Sequence, residues 1–404
     1  MIPLPTPFTP GRARIAFLGL TGFVLLLYSN PVHWFPELPD LAYAKVAGAL
    51  ALGSLLVSAL LYHRRLHGGG PVGLLLLLLF VWLGTSAAWS LWPSMSLDTF
   101  ADGLKYLAIF WLVANVVDSP RRAVRLVHLI ALASLIPAEG AISSWWRGEH
   151  LVEGDRAGWV GIFANPNDLA HYLVIGTAFS LGGREIARAR WLRWAYLPVL
   201  VVQASAIFLT QSRGGLFAAT TVIALWTLRG ASEWSKRGRI AVALATTLGI
   251  ALQIAPETTF RRTGQFDYAE DASVRGRLDA WRTGLAIARD RPLTGVGAGA
   301  FPLAWPEFAP GDAGPPRTAH NTFIQLVGET GFPALLLFVS ALLLAALRLR
   351  TAVRRPSPIG PLARATGVAL AGFVVCSLTG GYAYSWPLYL VLGLAVGLAR
   401  METF

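Results

Sequence analysis

The strongest constraint on this chain is the recurrence of long apolar runs along nearly its whole length. Runs such as PVGLLLLLLFVWLG continue to the ~20 residues that cross a bilayer as a helix. They do not alternate in polarity, as the strands of a membrane barrel would. In lipid every backbone N–H and C=O must be satisfied within the protein, which leaves helices as the remaining spanning structure. The chain is therefore predicted to be an all-α polytopic membrane protein. Composition agrees, with 54% hydrophobic and 14% charged residues among 404, where a soluble domain carries about 25% charged residues.

Twelve spans are predicted, near 14–29, 41–62, 71–91, 98–117, 123–143, 167–182, 193–211, 213–228, 238–255, 321–347, 362–381 and 385–400. Charge tests this division. With the N-terminus in the cytoplasm, 21 of the 34 Lys and Arg fall on the cytoplasmic side, as the positive-inside rule requires. Both termini are then cytoplasmic. The opening MIPLPTPFTPGRAR shows no cleavable-signal pattern, so the first apolar run is expected to remain as a span. The net charge of +12 is explained by these basic loops rather than by nucleic-acid binding. The single Cys376 lies in an apolar run, so neither a disulfide nor a cysteine metal site is expected. No internal repeat stands out, and the cytoplasmic loops are too short to fold alone.

One long polar interval, 256–320, divides spans 1–9 (residues 1–255) from spans 10–12 (321–404). It lies on the non-cytoplasmic side and is read as a cap over a membrane-embedded pocket. Eight basic residues sit in it, where they cannot act as orientation signals. Within it Val274, Leu278, Trp281, Leu285 and Ala288 recur at helical spacing, while Arg275, Arg282 and Arg289 recur on another face. This predicts an amphipathic helix along the membrane surface. RPLTGVGAGAF follows as a glycine-rich turn. A shorter external segment, WWRGEHLVEGDRAGWVGIFANPNDLAHYL, places Trp145, Trp146 and Trp159 as a headgroup-level belt.

Candidate residues cluster around these segments. Arg213, in TQSRGG at the junction of spans seven and eight, needs a polar cavity and a partner at membrane depth. Its planar fork suits phosphate oxygens; an ion pair with a loop carboxylate, or snorkelling to the interface, explains it equally well. Among the loop arginines, Arg277 adjoins the apolar face through Val274 and Trp281, and Arg275 and Arg282 point outward. His320 begins a helix beside Asn321, where the positive helix end favours a neutral imidazole and attracts phosphate. A capping histidine is the plainer alternative, and six other histidines show that the residue alone says little. His171 is a weaker candidate. Asn321, Gln325 and Glu329 form an i, i+4, i+8 stripe, for which an interhelical hydrogen-bond seam is the simpler explanation of the last two. Asn165 and Asn167 shape the NPND turn and cap span six. There is no Asp-x-Asp, P-loop, HExxH or nucleophile elbow. Arginines and a histidine without a carboxylate cage point to phosphate handling without a divalent metal or other cofactor.

GIFANPNDLAHYL, TQSRGG, GRLDAW…RPLTGVGAGAF and AHNTFIQLVGETG occur in that order across 156–331. With about twelve spans and one long external loop, this pattern resembles the bacterial O-antigen ligase and polysaccharide polymerase superfamily. The resemblance implies a GT-C-like fold in the bacterial inner membrane and an inverting glycosyltransferase whose site faces the periplasm. It implies a donor glycan on undecaprenyl pyrophosphate and, in ligases, lipid A-core as the acceptor. It also implies that His320 is the catalytic base and that Arg213 and a loop arginine (Arg277, otherwise Arg275 or Arg282) hold the pyrophosphate; Asn321, Asn165 and Asn167 are supporting candidates from their positions alone. An O-antigen polymerase or a protein O-oligosaccharyltransferase would share that donor. A lipid-linked glycan flippase is the alternative from another class, but it should show symmetric halves, and the polar features here are lopsided.

Overall fold

The computed structural model describes residues 14–35, 37, 43–63, 65–229, 268–311, 313–354 and 359–401. The ninth predicted span (238–255), the first part of the polar interval (256–267) and the side chain of Val274 lie outside the described residues. The described chain is helical apart from one two-stranded hairpin: α1 (Arg14–Ser29), α2 (Pro31–Trp34), α3 (Tyr43–Leu61), α4 (Gly70–Thr85), α5 (Pro93–Val116), α6 (Pro120–Ala133), α7 (Leu135–Arg147), β1 (Leu151–Val152), β2 (Arg156–Ala157), α8 (Pro166–Ile186), α9 (Arg190–Leu209), α10 (Arg213–Arg229), α11 (Tyr268–Asp290), α12 (Trp305–Phe308), α13 (Thr322–Arg354), α14 (Gly360–Ser377) and α15 (Trp386–Met401). Six helical stretches among the described residues are long and apolar enough to cross a membrane: 43–61, 70–88, 120–147, 190–209, 322–354 and 360–377. Shorter apolar helices occupy 14–29, 213–228 and 386–401. The protein is thus a multi-pass helical membrane protein.

Two helices form the centre. α8 is buried along most of its length and packs against α6, α9, α10 and α14. α15 is buried from Trp386 to Leu398 and packs against α5, α13 and α14. Small residues set these approaches: a Cβ on Gly393 would stand 2.6 Å from the Phe110 carbonyl, and one on Gly182 would stand 2.4 Å from Ala365 Cβ. The tryptophan belt needs one correction. Trp146 is 83% exposed, whereas Trp159 is buried, because Gly140 leaves room for its indole and Phe163 packs on its ring.

α13 is broken, and the break organises its surroundings. Gly331 has φ 75° and ψ 180°, a conformation open to glycine and costly for other residues. Pro333 brings no N–H for the Glu329 carbonyl one turn back. The groups released at the break are taken up from outside the helix. The N–H groups of Val296 and Gly297 donate to the carbonyls of Gly328 and Glu329 at 3.0 and 2.7 Å, and the Phe332 N–H donates to the Pro292 carbonyl at 2.8 Å. The Trp82 indole donates to the Thr330 carbonyl at 2.8 Å. The glycine-rich turn therefore substitutes for a missing turn of helix. Its own glycines at 295, 297 and 299 all have positive φ.

That turn anchors α11. α11 lays a face of small residues on the first half of α13: a Cβ on Gly284 would stand 2.3 Å from the Ile324 side chain. Ala280 and Ile287 join Val296, Phe301, Trp305 and Ala319 in a second, smaller core. The apolar row predicted for α11 divides accordingly. Ala288 is buried, whereas Leu278 and Leu285 are exposed, because the close packing is made by small residues on the adjacent face.

Gly297→Ala tests this staple. The residue has φ 109°, and a Cβ would stand 2.0 Å from the Ser90 hydroxyl. The strain is of order 1–3 kcal/mol, so the variant should show a lower thermal unfolding midpoint in detergent than Gly311→Ala, where nothing stands within 4 Å.

Candidate functional site

Three helix N-termini meet at one end of the bundle. At α8, the Asn165 side chain accepts the backbone N–H of Asn167 at 2.8 Å and that of Asp168 at 3.4 Å, so it caps the helix as expected. At α10, the Ser212 hydroxyl accepts the Gly215 N–H at 3.2 Å, which places Arg213 in the first turn. The tight turn before it uses Gln211 at φ 50°. Gly214 and Gly215 admit neighbours: a Cβ on the first would stand 1.9 Å from the Thr379 hydroxyl and one on the second 2.4 Å from Ala170 Cβ. At α13, the Asn321 side chain accepts the N–H groups of Phe323 and Ile324 at 2.9 and 3.1 Å. Asn321 is therefore the cap, and His320 sits just outside the helix at φ 46°, its imidazole free of the capping duty. Tyr382, in the loop between α14 and α15, ties two of these ends together. Its N–H donates to the Thr322 hydroxyl at 2.8 Å and its hydroxyl to the Asn167 carbonyl at 3.2 Å.

The charged groups gathered here are mostly cationic. Arg277 is half-buried on α11, and its pKa is lowered by burial first, then by Arg156 and Arg213, with Tyr382 and Glu153 opposing. His320 is held below its ordinary value of 6.5 by burial, then by Arg277 and Arg317, with Glu153 opposing. Arg213, Arg277 and His320 thus occupy one electrostatic neighbourhood with Arg156, Arg317 and Glu153. Arg275 and Arg282 face outward; Arg282 pairs with Asp279 across one turn at 3.3 Å. Gln325 and Glu329 form a seam inside the bundle. Gln325 donates to Glu329 at 3.2 Å and the Tyr384 hydroxyl donates to it at 3.0 Å. His171 is buried, stacked on the Tyr382 ring at 4.1 Å, with no hydrogen bond to either ring nitrogen among the described residues.

Two arginines at this site escape a reading of the sequence. Arg156, on β2, spends all three guanidinium nitrogens within the protein. It donates to the Thr210 carbonyl at 3.1 Å, to Glu153 at 2.6 Å and to the Asn167 side chain at 2.9 Å. Asn167 is therefore a partner of Arg156 rather than a helix cap. Arg156 clips the ends of α8 and α9 to the hairpin turn, and so fixes the turn that leads into Arg213. Arg317 lies over Gly276, where a Cβ would stand 2.3 Å from its guanidinium. Neither Arg277 nor Arg317 has a hydrogen-bond or ion-pair partner among the described residues. The spacing of Gly276 to Arg317 carries no local signal; tertiary packing alone brings them together.

The fold defines the class: a multi-pass helical membrane protein in which a histidine and four arginines share one polar neighbourhood. Residues 198–339, which hold Arg213, Arg277 and His320, match the family described as O-Antigen ligase (Wzy_C), in agreement with the motif resemblance. The chain is also 27% identical over 280 residues to the exopolysaccharide production protein ExoQ of Rhizobium meliloti (strain 1021), a match that covers 64% of this chain and 60% of that protein.

The charge balance at His320 is open to titration. Burial and the arginines keep its neutral form populated below 6.5, and protonation sets in as pH falls through the lowered value. Arg317→Gln removes a charge that lowers this pKa, so the His320 midpoint followed by NMR should rise. Glu153→Gln removes the opposing carboxylate, so the midpoint should fall. Equal midpoints in the two variants would contradict the arrangement.

Proposed function

We propose that the protein is an inverting glycosyltransferase that takes a glycan from a polyprenyl pyrophosphate and transfers it to a sugar hydroxyl. On this reading the donor is an undecaprenyl-pyrophosphate-linked O-antigen, the acceptor is lipid A-core, and the twelve-span topology puts the site on the periplasmic face of the inner membrane. The observation that carries the reading is Arg277: a half-buried guanidinium without an ion-pair partner among the described residues, beside two more arginines and a histidine kept neutral. Withdrawing such a charge from water is costly unless an anion meets it. A diphosphate supplies several charge-assisted hydrogen bonds for arginine forks, and the helix ends at Arg213 and His320 add partial positive charge.

The chemistry follows from those groups. His320 accepts the proton of the acceptor hydroxyl as the oxygen attacks the anomeric carbon. The bond from that carbon to the phosphate oxygen breaks on the opposite face, and configuration inverts. The pyrophosphate departs on its lipid with the bonding electron pair, and Arg213 and Arg277 stabilise the charge that develops. Arg317 adds a second unpaired guanidinium. Arg156, with each of its three nitrogens engaged within the protein, positions Arg213. Asn321 and Asn165 support the site by capping the helices that deliver it. Leu278 and Leu285 rest α11 on the membrane surface.

The resemblance to a protein of exopolysaccharide production favours a second reading for the acceptor: the hydroxyl of another lipid-linked glycan, which would make the reaction a polymerisation. Purified protein given one lipid-linked donor with lipid A-core or with a second lipid-linked unit separates the two by product size. Donor left chemically intact with either acceptor would overturn transfer itself.

Loss of the base should lower turnover by about 10²–10⁴-fold. His320→Ala is therefore expected to fold, bind donor and lose transfer, and full transfer by this variant would remove His320 from the mechanism. Arg277→Lys keeps the charge but not the planar fork, and should weaken transfer more than Arg282→Lys. Arg156→Lys should depress kcat with little change in KM for acceptor, since its task is to place Arg213.

A further inference from the structure

A basic cavity lies at the opposite end of α8 and α9 from the arginine–histidine site. It has a volume of about 300 Å³ and is lined by Leu181, Arg184, Glu185, Arg193 and Trp226. The 18 residues from Asn167 to Glu185 put it roughly 27 Å from the arginine–histidine site at 1.5 Å per residue. One wall is firmly built. Arg364 pairs with Glu185 and lies over the Trp226 ring at 4.6 Å, while its buried Nε has no hydrogen-bond partner among the described residues. Arg193 uses its Nε to cap α8, donating to the Ala187 carbonyl at 2.8 Å. The Arg184 guanidinium and the two terminal nitrogens of Arg193 have no hydrogen-bond or ion-pair partner among the described residues. With Arg364 offset by Glu185, the cavity keeps two uncompensated positive charges.

The surroundings indicate the depth at which it sits. Trp191 and Trp194, in the first turns of α9, are 72% and 58% exposed, as expected of indoles at the headgroup level. The helix face that carries Arg193 continues as Leu197, Val201 and Phe208, all exposed. An anion held at Arg184 and Arg193 would therefore have an exposed apolar helix face leading from it into the membrane.

We propose that this cavity binds the phosphate headgroup of an anionic phospholipid, with an acyl chain along Leu197 and Val201. The proposal is independent of the glycan chemistry at the other end. Basic cavities between spanning helices recognise such headgroups through charge and hydrogen bonding, and Arg184 and Arg193 offer both from neighbouring helices. A lipid there would bridge α8 to α9.

Native mass spectrometry of the full chain, released from nanodiscs, tests this. Nanodiscs would contain phosphatidylglycerol and phosphatidylcholine in equal amounts. The expected result is retention of phosphatidylglycerol in preference, with inorganic phosphate at millimolar concentration failing to displace it. Arg184→Gln, an exposed and unpartnered position, should weaken that retention about fivefold, and Arg193→Gln should do the same. Leu197→Ser, which leaves the charges in place, should shorten retention without abolishing headgroup preference. Equal retention of the two lipids, or unchanged preference in both arginine variants, would overturn the proposal. Displacement by inorganic phosphate alone would show a soluble-anion site and overturn the lipid assignment.

Discussion

The break in α13 sets most of the remaining arrangement. A helix in lipid can tolerate an interruption only where other protein groups take up the backbone that it releases. Here the release is specific: the Gly328, Glu329 and Thr330 carbonyls and the Phe332 N–H. Residues 292–297 supply three of the four partners and Trp82 the fourth. The glycine-rich turn is therefore fixed against α13 by backbone chemistry that no side-chain change can replace. Because the turn follows α11 directly, α11 is fixed as well, and with it Arg277. His320 belongs to the other end of the same broken segment. One helix interruption thus holds two of the site residues in register.

Charge at the site is arranged differently from charge in the rest of the protein. Two shielded arginines elsewhere are satisfied within the protein: Arg122 bonds Asp118 and the Val116 carbonyl, and Arg400 bonds the Ala114 carbonyl. At the site, Arg156 follows that rule, while Arg277 and Arg317 do not. The contrast separates an arginine that builds the site from arginines that are left for something to bind. Glu153, exposed on the hairpin turn, is the carboxylate that opposes the cluster at both Arg277 and His320, and its bond is to Arg156.

Much of this was legible from the sequence, to different depths. Apolar runs located most of the described spanning helices, because a spanning helix imposes both length and composition, although α13 runs to Arg354, past the predicted end at 347. Arg213 and His320 could be singled out because each combines a costly residue type with a helix boundary, and Arg277 because it adjoins the apolar row of its predicted helix. The misplaced features have physical causes. Trp159 reads as a belt residue until Gly140 is seen to receive it. The apolar row of α11 reads as its packing face, yet the close contact is made by Gly276, Ala280, Thr283 and Gly284, since small residues carry weak periodicity and allow the nearest approach. Arg156 and Arg317 are invisible because their roles rest on contacts across 54 residues of chain in one case and on Gly276 in the other.

The same reasoning explains why the donor side of the proposed reaction is readable and the acceptor side is not. A diphosphate demands concentrated positive charge, and concentrated charge half out of water is rare enough to mark its site. A sugar hydroxyl demands a base within reach and a few neutral hydrogen bonds, which any polar loop can provide. His320 would serve a core sugar, a growing polysaccharide or a hydroxyl on a protein equally well. Acceptor choice must then rest on shape at the rim of the site, where the hairpin turn at Glu153 and the segment around Arg317 both act on the histidine electrostatically. Those two segments, and not the arginine cradle, are where a ligase and a polymerase built on this fold should differ.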